Sequence, residues 1–69
     1  MDETTKLRML LPHWIEHNGE HAEEFQQYAA RSAEVRDQLM AAARSLEEAN
    51  ARLGEALEKL GGPLEHAHA

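Results

Sequence analysis

The sequence predicts an all-α fold, an antiparallel helical hairpin whose two helices meet along a heptad seam of leucine and alanine. Apolar or aromatic residues recur in alternate steps of four and three from Leu7 to Leu60, which is the spacing of helices that pack side by side. Good helix formers, above all Ala, Glu, Leu, Arg and Gln, dominate the chain, which has only one Val and one Ile. Gly61-Gly62-Pro63 then ends the pattern.

The seam divides into two halves, which predict one helix at about residues 3–31 and a second at about 33–60. One unbroken helix would be about 87 Å long and would have no partner within the chain. A turn near Ser32, a small polar residue that can cap a new helix, is therefore favoured. A continuous helix in an intermolecular coiled coil is the alternative, because no Gly or Pro marks the turn. Residues 61–69 are expected to form a flexible tail, and its Leu64-Glu65-His66 resembles the start of an expression tag.

The two halves of the predicted seam differ in side-chain size. The first half carries large or polar groups and the second alternates leucine with alanine, so that large residues can face small ones. With a turn near Ser32, the antiparallel register places His17 opposite Glu47. Trp14 then lies opposite Asn50. The predicted seam consists of Leu7, Leu11, Trp14, Asn18, His21, Phe25, Tyr28, Ser32, Val35, Leu39, Ala42, Leu46, Ala49, Leu53, Ala56 and Leu60.

A single hairpin would leave apolar residues exposed beside this seam. A chain of 69 residues also buries too little surface for comfortable stability as a monomer. We therefore expect a homo-oligomer, a dimer or higher, in which two hairpins close as a four-helix bundle. The residues expected on the exposed flank are Leu10, Ile15, Ala22, Ala29, Ala43 and Leu57.

Composition narrows the class of function. Seven basic and 13 acidic residues give a formal charge of −6, which argues against nucleic acid as a partner, because nucleic-acid binding rests on Lys and Arg. No apolar stretch approaches the roughly 20 residues that span a bilayer, so we expect no membrane partner and a cytoplasmic protein. The chain has no cysteine, so any metal site must use nitrogen and oxygen ligands.

The most informative pattern lies in the first predicted helix. Three histidines recur at every fourth residue, and a glutamate follows each of them three places later. Residues three and four apart stand over one another on a helix, so imidazoles and carboxylates form one column. Such a column is a ligand set for a divalent transition metal. The candidate ligands are His17 and His21, with carboxylate help from Glu20, Glu24 or Glu47, and with His13 as a further imidazole.

The metal hypothesis has limits that the sequence itself sets. His13 and His21 lie about 12 Å apart along a helix, so one ion cannot bind all three imidazoles, and a second helix must complete the site. The Glu-x-x-His motif of di-iron bundles is absent, which disfavours an enzyme. We expect storage, buffering or delivery of zinc, nickel, cobalt or iron. The alternative is a structural interaction module whose histidines only fix the register of the helices.

The histidine segment also carries a resemblance to a known family. The run from Lys6 to Phe25, with its His-Trp, His-Asn and His-Ala pairs, and the later Glu47-Glu48-Ala49-Asn50 resemble a family of small uncharacterised bacterial and archaeal proteins. The resemblance implies a helical hairpin and, because these chains often carry His-rich tails, some form of metal handling. The family has a longer, Gly-containing loop between its helices, which this chain lacks.

Overall fold

A computed structural model describes residues 2–64 and contains two α-helices joined by a short 3-10 turn. Helix α1 spans Glu3–Ala29, the 3-10 turn spans Ala33–Val35, and helix α2 spans Arg36–Lys59. The two helices pack against each other as an antiparallel hairpin, which confirms the predicted fold class. The molecule measures 46 × 22 × 16 Å, and its smallest dimension is little more than one helix diameter, so the hairpin forms a single layer.

Helix α1 begins at a side-chain cap and continues without interruption past its proline. The Asp2 carboxylate accepts a hydrogen bond of 2.8 Å from the backbone N–H of Thr5. This bond holds the pKa of Asp2 below its usual value. Pro12 lies inside α1, so the leucines before it and the histidines after it belong to one helix. Between residues 2 and 64 neither helix has a stretch long and apolar enough to cross a bilayer. The tail expected at residues 61–69 lies outside the described residues from position 65 onward.

The connection between the helices is held by an arginine and not by the expected serine cap. The Ser32 side chain makes no capping hydrogen bond. Instead the Nε of Arg36 donates to the carbonyl oxygen of Ala29 at 2.9 Å, at the end of α1, where the same oxygen accepts only a long backbone hydrogen bond of 3.4 Å from Ser32. The guanidinium of Arg31 lies 4.8 Å from the centre of the Tyr28 ring, a cation–π contact on the same turn.

The face of α1 that packs against α2 is rotated by about one residue from the predicted seam. The predicted positions Trp14 and Tyr28 are 42% and 55% exposed, whereas alanines expected on the flank are buried. Alanine lets two helix backbones approach closely, so the small residues lie between the helices and the aromatic residues lie beside them. On α2 the leucine row is half-buried, as the pattern predicted, but the alanine at its centre is Ala43. The buried residues between positions 2 and 64 are Leu11, Ala22, Ala29 and Ala43.

A pair of asparagines sets the register of the hairpin. The Asn18 side-chain amide donates to the Asn50 side-chain oxygen at 3.0 Å, and the Asn50 amide donates to the carbonyl oxygen of Ile15 at 3.0 Å. Asn50 therefore lies opposite Asn18 and not opposite Trp14, a shift of about one helical turn from the predicted register. These half-buried amides lose hydrogen bonds if the helices slide, so they favour one alignment.

Replacing Gly19 by alanine is expected to stabilise the hairpin by about 1 kcal/mol, because glycine is a poor helix former. A Cβ atom at Gly19 would lie 4.0 Å from its nearest neighbour, the Asn50 amide nitrogen, which is ordinary contact distance. Urea denaturation at fixed protein concentration measures the gain. Gly61→Ala is the control with the opposite sign, because Gly61 has a φ of 105° that alanine adopts with strain. A destabilised Gly19→Ala variant would show that the asparagine pair does not tolerate the added methyl group.

Candidate metal site

The candidate ligands His17 and His21 lie on an exposed flank of α1, outside the contact between the two helices. Their side chains are 54% and 59% exposed. His21 immediately precedes the buried Ala22, so the rotation of α1 that buries the alanine turns the imidazole out of the hairpin. The expectation that His21 lies in the seam opposite α2 is therefore wrong.

Each of these imidazoles has a carboxylate beside one of its ring nitrogens. The Nδ1 atom of His17 lies 3.7 Å from an oxygen of Glu20, and the Nδ1 atom of His21 lies 3.7 Å from an oxygen of Glu24. Histidines that bind metals commonly point one ring nitrogen at a carboxylate and bind the ion through the other. The two His–Glu pairs therefore leave Nε2 as the nitrogen available to an ion.

The third histidine, His13, lies next to His17. Their ring centres are 4.4 Å apart with the planes at 69°, an edge-to-face contact between exposed side chains. The His21 ring stacks on Phe25 at 6.4 Å in the other direction along the helix. The structure thus brings the rings of His13 and His17 into contact, whereas the ring of His21, one turn further along α1, lies against Phe25.

Glu47 lies away from the histidines. Its carboxylate accepts a hydrogen bond of 3.1 Å from the side-chain amide of Gln26. The predicted register placed Glu47 opposite His17, but the alignment that joins Asn18 to Asn50 moves it about one turn toward the end of α1, where its carboxylate contacts Gln26. The carboxylates that the structure places beside the imidazoles are those of Glu20 and Glu24.

One hairpin supplies only part of a metal site. Among residues 2–64 no three His, Asp or Glu side chains are placed so that they could hold one ion. Tetrahedral sites in proteins use three or four protein ligands, so two imidazoles four residues apart form half of such a site. The remaining ligands have to come from outside this hairpin.

Sequence reasoning missed two features that position this flank. Asn18 and Asn50 are the polar interruptions of two otherwise apolar rows, a signal that was visible in the sequence but had no predicted partner. The guanidinium of Arg8 donates to the carbonyl oxygen of Gly62 at 2.6 Å and joins the start of α1 to the end of α2. No sequence pattern pointed to that contact, because its acceptor is a backbone atom 54 residues away.

A comparison with known protein families identifies the family of this chain. The family model described as "Domain of unknown function (DUF8180)" matches residues 7–60, which include almost all of both helices. The chain belongs to this family. This match confirms that the chain belongs to a small family of unknown function, as the resemblance implied. No curated protein and no solved structure matches the chain, so the function has to be argued from the flank of α1.

Proposed function

We propose that this protein binds a divalent transition metal through His17 and His21 and serves to store, buffer or deliver the ion. The single observation that carries the proposal is the pair of exposed imidazoles on adjacent turns of α1, each with a glutamate oxygen 3.7 Å from its Nδ1 atom. Two histidines at positions i and i+4 on one helix face are an established metal-binding arrangement. A carboxylate that accepts a hydrogen bond from the other ring nitrogen orients the imidazole and makes it a better ligand, and the glutamate oxygens at 3.7 Å lie close enough to form that bond after a small side-chain movement.

The ligand chemistry selects the class of ion. The chain has no cysteine, so the site offers imidazole nitrogen with carboxylate oxygen close by. Imidazole suits zinc, nickel, cobalt and iron, whereas calcium and magnesium prefer sites made entirely of oxygen. The formal charge of −6 also favours a cation over an anion as ligand. His13 offers a further imidazole to an ion held by His17, in competition with His21.

The alternative function, a structural module whose histidines fix the register, has less support. The side-chain hydrogen bonds between α1 and α2 in the described residues come from asparagine, glutamine, glutamate and arginine, and none comes from histidine. The imidazoles lie on the exposed flank, where they cannot align α1 with α2 inside one hairpin. A module that only associates with other helices does not require a carboxylate beside the ring nitrogens of His17 and His21.

Metal titration of the full-length chain tests the proposal. His66→Ala and His68→Ala are introduced throughout, so that only the helix histidines respond. Zinc, nickel or cobalt is added to metal-free protein while calorimetry measures binding and thermal unfolding measures stability. We expect an affinity in the micromolar range or tighter, and an ion at 100 times its Kd then adds about 2.7 kcal/mol to the unfolding free energy.

The variants define which imidazoles bind. The double change of His17 and His21 to alanine is expected to abolish both the calorimetric signal and the thermal shift. Gln27→Ala is the matched control, because it removes an exposed polar side chain of the same helix outside the histidine column, and its affinity should remain within about threefold of the parent. His13→Ala then measures how much the third imidazole contributes. If the parent binds none of these ions, or if the double variant binds them as well as the parent does, the interaction module becomes the better explanation.

A further inference from the structure

We propose that two copies of this chain pair through the flank of α1 that carries the histidines, and that His17 of each copy faces His21 of the other around a shared metal ion. This inference rests on the proposed metal binding and names the source of the missing ligands. The partner is a second copy of the same hairpin. The assembly is an isologous dimer, in which the same surface of both copies meets across a two-fold axis.

The first argument is how little the isolated hairpin buries. Three of the four buried residues between positions 2 and 64 are alanines, and no large side chain in that range is fully buried. A single-layer hairpin has too small a core to be stable without another element packed on it. Meanwhile Leu10, Trp14 and Tyr28 are 37%, 42% and 55% exposed. Large aromatic residues at a surface mark the places where a second molecule binds.

The second argument is that both helices contribute to the same exposed face. The hydrogen bond between Gln26 and Glu47 joins residues that directly follow the core positions Phe25 and Leu46, so it marks one side of the hairpin. In an antiparallel helix pair, residues that directly precede core positions lie on the opposite side of both helices. We call this side the outer face. It contains Trp14, His21 and Tyr28 from α1 and Ala42, Ala49 and Ala56 from α2. Leu10 and His17 lie at its edge on α1, and Ser45 and Arg52 lie at its edge on α2.

The third argument is that the positions of the outer-face residues of α1 are symmetrically spaced about one point. Its residues follow steps of four, three, four, three and four, and the midpoint of the row is Gly19. An antiparallel copy centred on that midpoint places His17 opposite His21 twice. The same alignment places Leu10 opposite Tyr28 at both ends and Trp14 opposite Glu24 between these ends and the histidines. The row consists of Leu10, Trp14, His17, His21, Glu24 and Tyr28.

The position of α2 agrees with the same two-fold axis. Because Asn18 pairs with Asn50, Gly19 lies level with Ala49 in the hairpin. An axis at this level places Ala49 opposite its own copy and Ala42 opposite Ala56. Alanine at these positions lets the two α2 helices approach closely, which is the packing of a four-helix bundle. The histidines then occupy the centre of the interface, where α1 meets α1.

The chemistry of the shared site follows from this pairing. Two His17 and two His21 side chains converge near the axis and can supply four imidazole nitrogens, which is the coordination number of a tetrahedral zinc or cobalt site. Four glutamates, a Glu20 and a Glu24 from each copy, lie beside the Nδ1 atoms and offset the charge of the ion. The expected stoichiometry is one ion per two chains, and no other residue is required.

Cysteine cross-linking and metal stoichiometry test the inference on the full-length chain. Because the protein has no cysteine, Ala49→Cys introduces a single thiol at the predicted axis. Oxidation should convert most of this variant to a disulfide-linked dimer, since the two Cα atoms would lie within about 7 Å. Ala51→Cys is the matched control on an exposed position of α2 away from the outer face, and it should cross-link at least about tenfold more slowly.

Light scattering and calorimetry then separate this inference from the proposed function. We expect a dimer that binds one zinc ion per two chains. Ala49→Glu places two carboxylates at the axis and should abolish zinc binding. Circular dichroism should show that this variant remains helical. Binding of one ion per monomer would overturn the shared site while leaving metal binding by the histidines intact. A dimer that binds no metal would overturn both proposals, and equal cross-linking of the two cysteine variants would overturn the proposed face.

Discussion

Replacement of Ala43 by glutamate is expected to unfold the hairpin. Ala43 is 0% exposed and lies in α2 among the alanines that form the centre of the helix contact. A glutamate there would have to place an unpaired carboxylate between two closely packed helices, which costs several kcal/mol. A chain of this size has a total stability of about 3–10 kcal/mol, so the change removes most or all of it. Circular dichroism at 222 nm should show loss of helix and of cooperative melting.

Ala41→Glu provides the matched control for this experiment. Ala41 lies two residues earlier on the same helix, is exposed, and takes the same change of size and charge. Its helical signal and melting temperature should stay close to those of the parent, because surface substitutions usually change stability by about 0.5 kcal/mol or less. If Ala43→Glu melted like this control, the two helices would have to meet along a different face.

Loss of the Arg8 side chain is expected to destabilise the chain by about 1–2 kcal/mol. Its guanidinium donates to the carbonyl oxygens of Gly62 at 2.6 Å and of Gly61 and Pro63 at 3.4 Å each. These carbonyls follow α2, where the backbone turns through positive φ angles at both glycines. Without Arg8 the end of α2 should separate from the start of α1, and hydrogen exchange of the last amides of α2 should accelerate.

Lys6→Ala is the control for charge. Lys6 lies one half-turn away on α1, carries the same positive charge, and forms only an exposed ion pair of 3.9 Å with Glu3. Its removal should change the urea midpoint little, since such pairs contribute about 0–1 kcal/mol. Equal effects of Arg8→Ala and Lys6→Ala would show that net charge, and not the contact with the three carbonyls, accounts for the loss of stability.

The rotation of α1 connects the fold to the proposed function. Had the predicted seam been the helix contact, His21 would lie between α1 and α2, where an ion would have to be held within one chain. The observed core of Leu11, Ala22 and Ala29 instead turns His17 and His21 out of the hairpin. In the dimer that we propose, the metal site is complete only when two chains associate, so ion binding and association would be linked equilibria. This linkage suits a protein that collects and releases an ion.

Several features of the fold could be read from the residue order. The steps of four and three predicted helices that pack side by side, and Gly61-Gly62 predicted the end of α2, because periodicity and backbone preference are local properties. The spacing of His17 and His21 likewise determined that they share one face of a helix. Their glutamate neighbours three residues later were also predicted correctly as spatial neighbours.

Other features depended on how the two helices fit together. Helix α1 carries two adjacent apolar rows, one with Leu11, Ala22 and Ala29 and another with Leu10, Trp14 and Tyr28. Periodicity cannot choose between neighbouring rows of one helix, because both repeat every seven residues. The choice depends on close approach, which favours the row that contains alanine.

The sequence by itself thus determined the helices, the end of α2, and the pairing of His17 and of His21 with a glutamate, all of which follow from contacts within four residues along the chain. Only the tertiary structure decided that the histidines face outward and that Glu47 lies beside Gln26. The register of the hairpin depends on the hydrogen bond from Asn18 to Asn50, two side chains 32 residues apart. Such a contact is selected by the packing and hydrogen bonding of whole helices, which no local pattern encodes.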